Sequence, residues 1–427
     1  MREDLLYHLW KFQKFDTEAL QTSAGEPVSV IHPGFQNELA GPDFFNSRIQ
    51  IGDQLWAGNV EIHVRASDWY FHQHETDPNY ENVILHVVWE DDSEIYRNDN
   101  SIIPTLSLKD RVSPEMLANY SRLLEQIHLK LNCENDFPHF SEFQVEHWLE
   151  RLYFERLEAK SARILKVLCE TGNDWEATLF IMLARSFGSN VNAEAFMSLA
   201  QDLDFKIIQK LGNNLFTLEA LLLGHAGLIK ETDNYGVALK NEYQYLKHKY
   251  SLQNEFLPQP QFFKLRPDNF PSLRLAQMAA LYSQKKLLFQ DLMQVQQLEE
   301  IYRIFNVQIS DYWKTHYNFG KSHPSRIKKL TRSFIGLLVI NCILPMQYCY
   351  RQQLGKETET SVQSLLKGLK AEKNTAISIF YEIRPGLASS AMHSQALLHL
   401  KQHYCSQNKC LQCELGASLL RKSPKYV

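Results

Sequence analysis

The sequence predicts an α+β protein with an N-terminal mixed β-sheet domain and a large all-α domain after it. Between residues 28 and 108, short β-branched and aromatic runs alternate with turn-forming segments such as HPG, AGPD and DPN. After residue 113, apolar residues recur every three or four positions and strand signals nearly vanish. At 427 residues the chain exceeds the size at which single cores usually stop growing, so at least two domains are expected.

The first predicted element is a helix over residues 1 to about 22, followed by five strands. The apolar stripe of the helix consists of Leu5, Leu6, Leu9, Trp10 and Phe12. Each predicted strand is an apolar or alternating run between turn signals. The runs are PVSVI (27–31), FFNSRIQI (44–51), LWAGNVEIHV (55–64), NVILHVVWE (82–90) and IPTLSL (103–108).

A helix start at Ser113 marks the predicted end of the sheet domain. Ser113 is suited to cap the helix, Pro114 to occupy its first position and Glu115 to lie in its first turn. We therefore predict a sheet domain over residues 1–112, a helical domain over 113–395 and a cysteine-containing segment over 396–427.

Composition narrows the class of partners. The formal net charge is −4, which provides no overall electrostatic footprint for nucleic acid. The N-terminus lacks the pattern of a secretory signal, and the apolar run at residues 334–346 is too short to span a bilayer. Of the seven cysteines, four are dispersed along the chain and three lie close together near the C-terminus, which does not suggest a disulfide framework. We expect a cytoplasmic protein with no membrane partner, and leave a protein partner or homo-oligomer open.

Strand alternation groups the acids and histidines of residues 40–75. Glu61 and His63 are two apart and share one face of their predicted strand. If the two strands around the IGDQ turn form an antiparallel hairpin, Asp43 lies roughly opposite residues 61 to 65. Two carboxylates from neighbouring strands would then share a hard cation such as Mg²⁺ or Mn²⁺.

This pattern resembles the core of PD-(D/E)xK nucleases, through Pro42-Asp43 and the segment Glu61-Ile62-His63. The resemblance implies a restriction-endonuclease-like sheet and metal-dependent hydrolysis of phosphodiester bonds in nucleic acid. It also implies that Glu38 supplies an additional acid. His63 stands where that family has lysine, and would position or deprotonate water or bind the metal.

A second resemblance extends over the whole chain. The segments GPDF, WAGNVEIH, SDW and NVILHVV, with the later RPDNFPSLRLAQMAAL and YCSQNKCLQCELG, resemble an uncharacterised bacterial family of unknown function. This resemblance implies no activity of its own.

The histidines offer an alternative metal site. His63, His72 and His74 would bind zinc, with Glu61 as general base, if the segment SDWYFHQHETDP folds back over the hairpin. Otherwise His72 and His74 are solvated loop residues. A hydrogen-bonded core histidine is favoured for His86, and Trp56 and Trp69 are expected in the core.

The C-terminal segment predicts a second metal site. Cys405, Cys410 and Cys413 follow a C-x₄-C-x₂-C spacing, which suits a zinc ion or an iron–sulfur cluster. The alternative is three thiols without metal. Candidates for the missing fourth ligand are His399, His403, Cys342 and Cys349.

Basic residues of the helical half are the first place to expect contacts with nucleic acid. They are Arg266 and Arg274 around RPDNFPSLR, and Lys328 and Lys329 in KSHPSRIKKLTR. The leading expectation is a metal-dependent nuclease. The alternatives are a non-catalytic interaction protein with an inactive nuclease-like domain, and a zinc-dependent hydrolase that uses the histidines.

Overall fold

Strands and helices are segregated along the chain in the computed structural model. The structure describes residues 2–37, 39–124, 129–356, 365–366, 368–372 and 374–420. Within these ranges every strand of the sheet precedes residue 108, and helices dominate afterwards. The predicted α+β class is confirmed.

Six strands form one mixed sheet with the order β1-β3-β4-β5-β6, and β2 pairs with β3 outside this path. Pairs β1/β3 and β3/β4 are antiparallel, whereas β4/β5 and β5/β6 are parallel. The predicted β3–β4 hairpin is present, and Gly52 takes a positive φ of 59° in its two-residue turn. The strands are β1 (Val28–His32), β2 (Phe35–Gln36), β3 (Phe44–Ile51), β4 (Gln54–Arg65), β5 (Val83–Glu90) and β6 (Thr105–Ser107).

A β-bulge changes the register of the hairpin next to Asp43. Ser47 pairs with Gly58, but Phe44 pairs with Val60, so β3 has one extra residue in this interval. Asn46 lies at the bulge with a φ of 57°. Because a one-residue shift moves side chains to the other face, the bulge turns Asp43 toward the face of Glu61.

Helix α1 (Glu3–Phe12) packs against β4 through its apolar stripe. It ends at Phe12, so the prediction of a helix to about residue 22 is wrong. Gln13 takes a left-handed conformation with a φ of 47°, and its N–H caps the carbonyls of Leu9 and Trp10. The Trp10 indole donates to the Pro33 carbonyl at 2.9 Å, which ties α1 to the strand region.

The segment between β4 and β5 is held by its own apolar cluster. Helix α2 (Asp68–Phe71) and two short 3₁₀ turns, His74–Thr76 and Pro78–Tyr80, form this segment. Trp69 near its start is 1% exposed and Tyr80 at its end is 9% exposed. Both belong to a cluster with Ala66, Val83, Val88, Ile95 and Ile103. Trp69 therefore lies in the core as predicted, whereas Trp56 is 39% exposed and its core prediction is wrong.

The predicted helix start at Ser113 is confirmed, since its hydroxyl accepts the Met116 N–H at 3.2 Å. Helices follow at α3 (Pro114–Leu124), α4 (Glu142–Glu170), α5 (Trp175–Phe187), α6 (Ser189–Asp202), α7 (Phe205–Leu211), α8 (Leu215–His225), α9 (Asn234–Lys249), α10 (Pro271–Gln284), α11 (Leu288–Gln294), α12 (Leu298–Ile304), α13 (Tyr312–Thr315), α14 (Arg332–Leu338) and α15 (Leu344–Gln353). Further helices span Ser378–Ile383, Ala391–His399 and Glu414–Leu419.

The chain divides into two compact units. The first unit contains Met1–Trp148, Ala376–Pro385 and Leu398–Val427, and the second contains Leu149–Thr375 and Gly386–Leu397. This division differs from the predicted bounds at residues 112 and 395, because the first unit continues into α4. From residue 398 onward, the cysteine-containing segment belongs to the first unit.

The apolar run at residues 334–346 lies within a longer helical segment. A π-helical turn, Val339–Ile343, joins α14 to α15. The whole segment, Arg332–Gln353, has 22 residues and a mean hydropathy of 1.5 in its most apolar window, so it is long and apolar enough to cross a membrane. In the structure 78% of that window is buried inside the protein, which is also typical of a core helix.

Candidate metal centre

Strand alternation and the parallel register bring three side chains of β4 and β5 to one face. Glu61 and His63 are two apart on β4, and Glu61 pairs with His86 on β5. His63 Nδ1 and His86 Nε2 are 2.8 Å apart. His86 is fully buried and hydrogen-bonded, as predicted.

Asp43 and Glu61 are joined by reciprocal backbone hydrogen bonds. The Asp43 N–H donates to Glu61 Oε2 at 3.0 Å, and the Ile62 N–H donates to Asp43 Oδ2 at 2.9 Å. Burial raises the pKa of each carboxyl to about 8. The neighbouring Glu61 charge adds to the increase at Asp43. Each acid is therefore held in place by one oxygen, and Glu61 Oε1 is left to face the histidines.

The segment after α2 folds back over β4 and delivers two more imidazoles. His72 Nδ1 lies 3.0 Å from His63 Nε2, and His74 Nε2 lies 3.4 Å from Glu61 Oε1. Among the described residues, His63, His72 and His74 can direct ligand nitrogens that all lie within 4.8 Å of one another. We call these three residues the histidine centre. His63 is buried, His74 half-buried and His72 exposed, so the centre opens to solvent beside His72.

The spacing of the donor atoms fits a tetrahedral metal site. With zinc–ligand bonds of about 2.0–2.1 Å, neighbouring ligand atoms are about 3.3–3.4 Å apart. The distance from His63 Nε2 to His72 Nδ1 is 3.0 Å, close to one such edge. Glu61 Oε1 lies beside the nitrogens, 3.6 Å from His63 Nε2 and 3.4 Å from His74 Nε2. Three imidazole nitrogens suit zinc better than magnesium, which prefers oxygen ligands.

His63, His74 and His86 are held neutral, the state that binding a metal requires of an imidazole. Burial lowers the pKa of His63 to about 2 and that of His86 to about 3, and it also lowers the pKa of His74. The His74 ring stacks on Tyr80 with 3.8 Å between centroids. His86 is an outer partner, a residue that supports a metal ligand without binding the metal itself. Its Nε2 contacts His63 Nδ1, the nitrogen that faces away from the other ligands.

Two residues of α1 complete the surroundings of the centre, and sequence reasoning missed both. Burial raises the pKa of Glu3, and His72 and His74 oppose this rise. The Tyr7 hydroxyl donates to Glu3 Oε2 at 3.5 Å, and burial followed by the Asp43 charge raises the pKa of Tyr7. Their four-residue spacing on the flank of an apolar stripe was the available signal.

The predicted nucleic-acid contacts are not assembled into a basic surface. Arg274 is buried, donates to Asn269 Oδ1 at 2.6 Å and to Gln277 Oε1 at 2.9 Å, and its pKa falls to about 10 through burial. Lys328 is buried and donates to the carbonyls of Trp313 and Lys314. These two cations are therefore committed to internal partners, which corrects their prediction as phosphate contacts.

Two further predicted contact residues, Arg266 and Lys329, lie at the surface. Arg266 and Lys329 are exposed, and the segment around Lys329 is not helical. Glu38 lies outside the described residues. The three C-terminal cysteines belong to the first unit, whereas Cys342 and Cys349 are buried within the second unit.

The raised carboxyl pKa values predict a pH-dependent stability of the metal-free protein. Folded Asp43 and Glu61 keep their protons to about pH 8, whereas the unfolded chain releases them near pH 4. The folded state binds more protons in this interval, so its stability falls as pH rises. His63 and His86 oppose this only up to about pH 6.5, where unfolded histidines lose their protons. We expect a fall between about pH 6.5 and 8, of at most about 1.4 kcal/mol per proton per pH unit.

Denaturant titrations in the presence of a chelator, at several pH values in this interval, measure the effect. The matched control is the double variant Asp43→Asn with Glu61→Gln, which cannot bind the two protons. Its stability should fall less steeply with pH. Equal slopes in both proteins would contradict the prediction.

Comparison with known proteins identifies a family but no activity. No curated protein and no solved structure matches the chain. The profile of a family described as "Protein of unknown function (DUF2851)" matches residues 3–375, which include the sheet, the histidine centre and most of the helical half. The predicted membership in a family of unknown function is therefore confirmed. The chain belongs to the DUF2851 family.

Proposed function

We propose that the protein is a zinc-dependent hydrolase whose metal is held by the histidine centre. The observation that carries this proposal is the grouping of three ligand nitrogens, from His63, His72 and His74, within 4.8 Å of one another, with Glu61 Oε1 3.6 Å from His63 Nε2 and 3.4 Å from His74 Nε2. Three protein ligands leave a fourth position for water or substrate, as in catalytic zinc sites. The exposed side at His72 provides access to that position.

Bound zinc would supply Lewis acidity and make a water molecule more acidic. The residues of the chain perform the remaining work. Glu61 Oε1 lies beside the ligand nitrogens and accepts the proton of the attacking water, while the Asp43 N–H holds Oε2 in place. Without metal, the raised pKa of about 8 keeps Glu61 protonated near pH 7. A cation bound beside it would favour the carboxylate form, which is the form that accepts a proton. Asp43 orients this part of β4 by accepting the Ile62 N–H.

Charge around the centre bears on the substrate class. The nearby acids Glu3, Glu75 and Asp77 act electrostatically on His74. A polyanion approaching this opening would be repelled, whereas an uncharged ester or amide would not. An uncharged substrate is therefore our leading proposal.

Nucleic-acid hydrolysis is the second candidate, and a specific observation favours it. Asp43 and Glu61 meet across a strand hairpin, which is the arrangement that the nuclease resemblance implies. In that case the two acids and a Mg²⁺ or Mn²⁺ ion would act on a phosphodiester, with His63 near the water.

The substitution Glu61→Gln tests the proposed base. We expect zinc to remain bound, because the three imidazoles are intact, and the hydrolysis rate to fall by at least about 100-fold, because general base catalysis contributes that much. The measurement is the rate of zinc-loaded protein on a fluorogenic ester, a fluorogenic amide, a bis-aryl phosphodiester and single- and double-stranded nucleic acid.

The matched control is Glu81→Gln, which changes an exposed acid on the loop before β5. Activity on the phosphodiester or nucleic acid alone would select the second candidate. If the wild-type protein hydrolyses none of these substrates, or Glu61→Gln keeps its full rate, the hydrolase proposal fails. A non-catalytic interaction protein would then be the better interpretation.

A further inference from the structure

The Cys410–Cys413 segment forms a tight turn at the start of the helix Glu414–Leu419. The Cys413 N–H bonds to the carbonyls of Lys409 and Cys410, and the Ala417 N–H bonds to the Cys413 carbonyl at 2.8 Å. Gly416 is needed here, because a Cβ at this position would lie 2.3 Å from the Cys410 carbonyl oxygen.

A distant part of the first unit reaches the same turn. Asn132 Nδ2 donates to Cys410 Sγ at 3.4 Å and to Asn408 Oδ1 at 3.3 Å. Lys401 Nζ donates to the Lys130 carbonyl at 3.2 Å. Residues 130–132 therefore contact the C-terminal segment at three positions, Lys401, Asn408 and Cys410. Cys133 comes next in this stretch, directly after the residue whose amide contacts Cys410.

Hydrogen bonds of the main chain and of Asn132 connect the surroundings of the four cysteines. The Asn132 amide, next to Cys133, contacts both Cys410 Sγ and the side chain of Asn408. The Asn408 N–H bonds to the Cys405 carbonyl at 3.2 Å, and the Cys413 N–H bonds to the Cys410 carbonyl at 3.3 Å. The other described cysteines, Cys169, Cys342 and Cys349, belong to the second unit.

We propose that Cys133, Cys405, Cys410 and Cys413 bind one zinc ion in a structural site of the first unit, distinct from the histidine centre. Four cysteines complete a closed tetrahedral ligand set, so this site leaves no position for substrate. Cys133 takes the ligand position for which the sequence offered His399, His403, Cys342 and Cys349. The ion would link the segment after α3 to the C-terminal part of the chain.

The experiment compares the metal content of the full-length chain with and without Cys133. We expect Cys133→Ser to lose one equivalent of zinc by elemental analysis, whereas the control Cys169→Ser, which changes an exposed thiol, keeps it. Replacing zinc with Co²⁺ should produce the intense sulfur-to-metal charge-transfer bands of a thiolate site. These bands should persist in His63→Ala, which separates the outcome at the cysteines from that at the histidine centre.

A second measurement applies to the wild-type protein and is independent of how the variant folds. Alkylation followed by peptide mass spectrometry should show that Cys133 and the three C-terminal cysteines react several-fold faster after a chelator removes the metal. The proposal is overturned if Cys133 reacts equally fast with and without the chelator. It is also overturned if Cys133→Ser retains the zinc of Cys169→Ser, if iron and sulfide replace zinc, or if two of the four form a disulfide.

Discussion

Replacing His63 with alanine is expected to lower the zinc affinity of the histidine centre by at least about 100-fold, since even outer partners of metal ligands are worth 10–100-fold. His63 is the most buried member of the centre and links its parts. Its Nε2 is 3.0 Å from His72 Nδ1 and 3.6 Å from Glu61 Oε1, and its Nδ1 contacts His86. Without it, two imidazoles remain, one of them exposed.

Competition with a chromophoric chelator measures this affinity. His147→Ala is the matched control, because His147 is an exposed histidine of the first unit outside the centre. His86→Ala should show an intermediate loss of about 10–100-fold, as expected for an outer partner. If His63→Ala binds zinc as tightly as the wild-type protein, the proposed hydrolase loses its basis. That result would not bear on the proposed cysteine site.

Trp69→Ala should destabilise the protein and also weaken zinc binding, although Trp69 is not a ligand. The side chain is 1% exposed within the apolar cluster that holds the segment carrying His72 and His74. Truncation of a buried tryptophan costs about 3–5 kcal/mol of unfolding free energy. Once the cluster is weakened, the segment is no longer held over β4, and the two ligands that it carries lose their fixed positions.

The control for this prediction is Trp56→Ala, which changes a tryptophan of β4. Trp56 is 39% exposed, so its truncation removes less buried surface and should cost clearly less stability. Urea titration measures the first effect and zinc titration of the folded protein measures the second. If Trp69→Ala loses stability but binds zinc as tightly as the wild-type protein, the ligands are not positioned by the apolar cluster.

Local patterns in the sequence were sufficient for the elements and for part of the site. Runs between turn signals predicted β3, β4 and β5 to within a residue or two, and a serine–proline pair predicted the start of α3. Alternation placed Glu61 and His63 on one face, because the period of a strand depends only on its backbone. The apolar pattern predicted the end of α1 less well, because the helix ends at Phe12 although further apolar residues follow it in the sequence.

Alternation alone would have assigned Asp43 to the wrong face. In the register of Ser47 with Gly58, Asp43 would share the face of Val60 and Ile62 rather than that of Glu61. The bulge at Asn46 reverses this, and nothing in the spacing of acids along the chain indicates a bulge. The prediction of an acid pair therefore needed an irregularity of the backbone that only the assembled sheet shows.

By itself, the sequence determined the α+β class, the hairpin and the residue types available for metal binding. The tertiary structure decided which of them meet. It folded His72 and His74 onto β4, buried Arg274 and Lys328, and brought Asn132, the neighbour of Cys133, to Cys410. The physical reason is that strand period and helix capping depend on residues close in sequence. Which site residues come together depends instead on apolar packing between segments that are distant in the chain. Trp69 and Tyr80 show this most clearly, because the apolar residues that they pack against are known only from the folded structure.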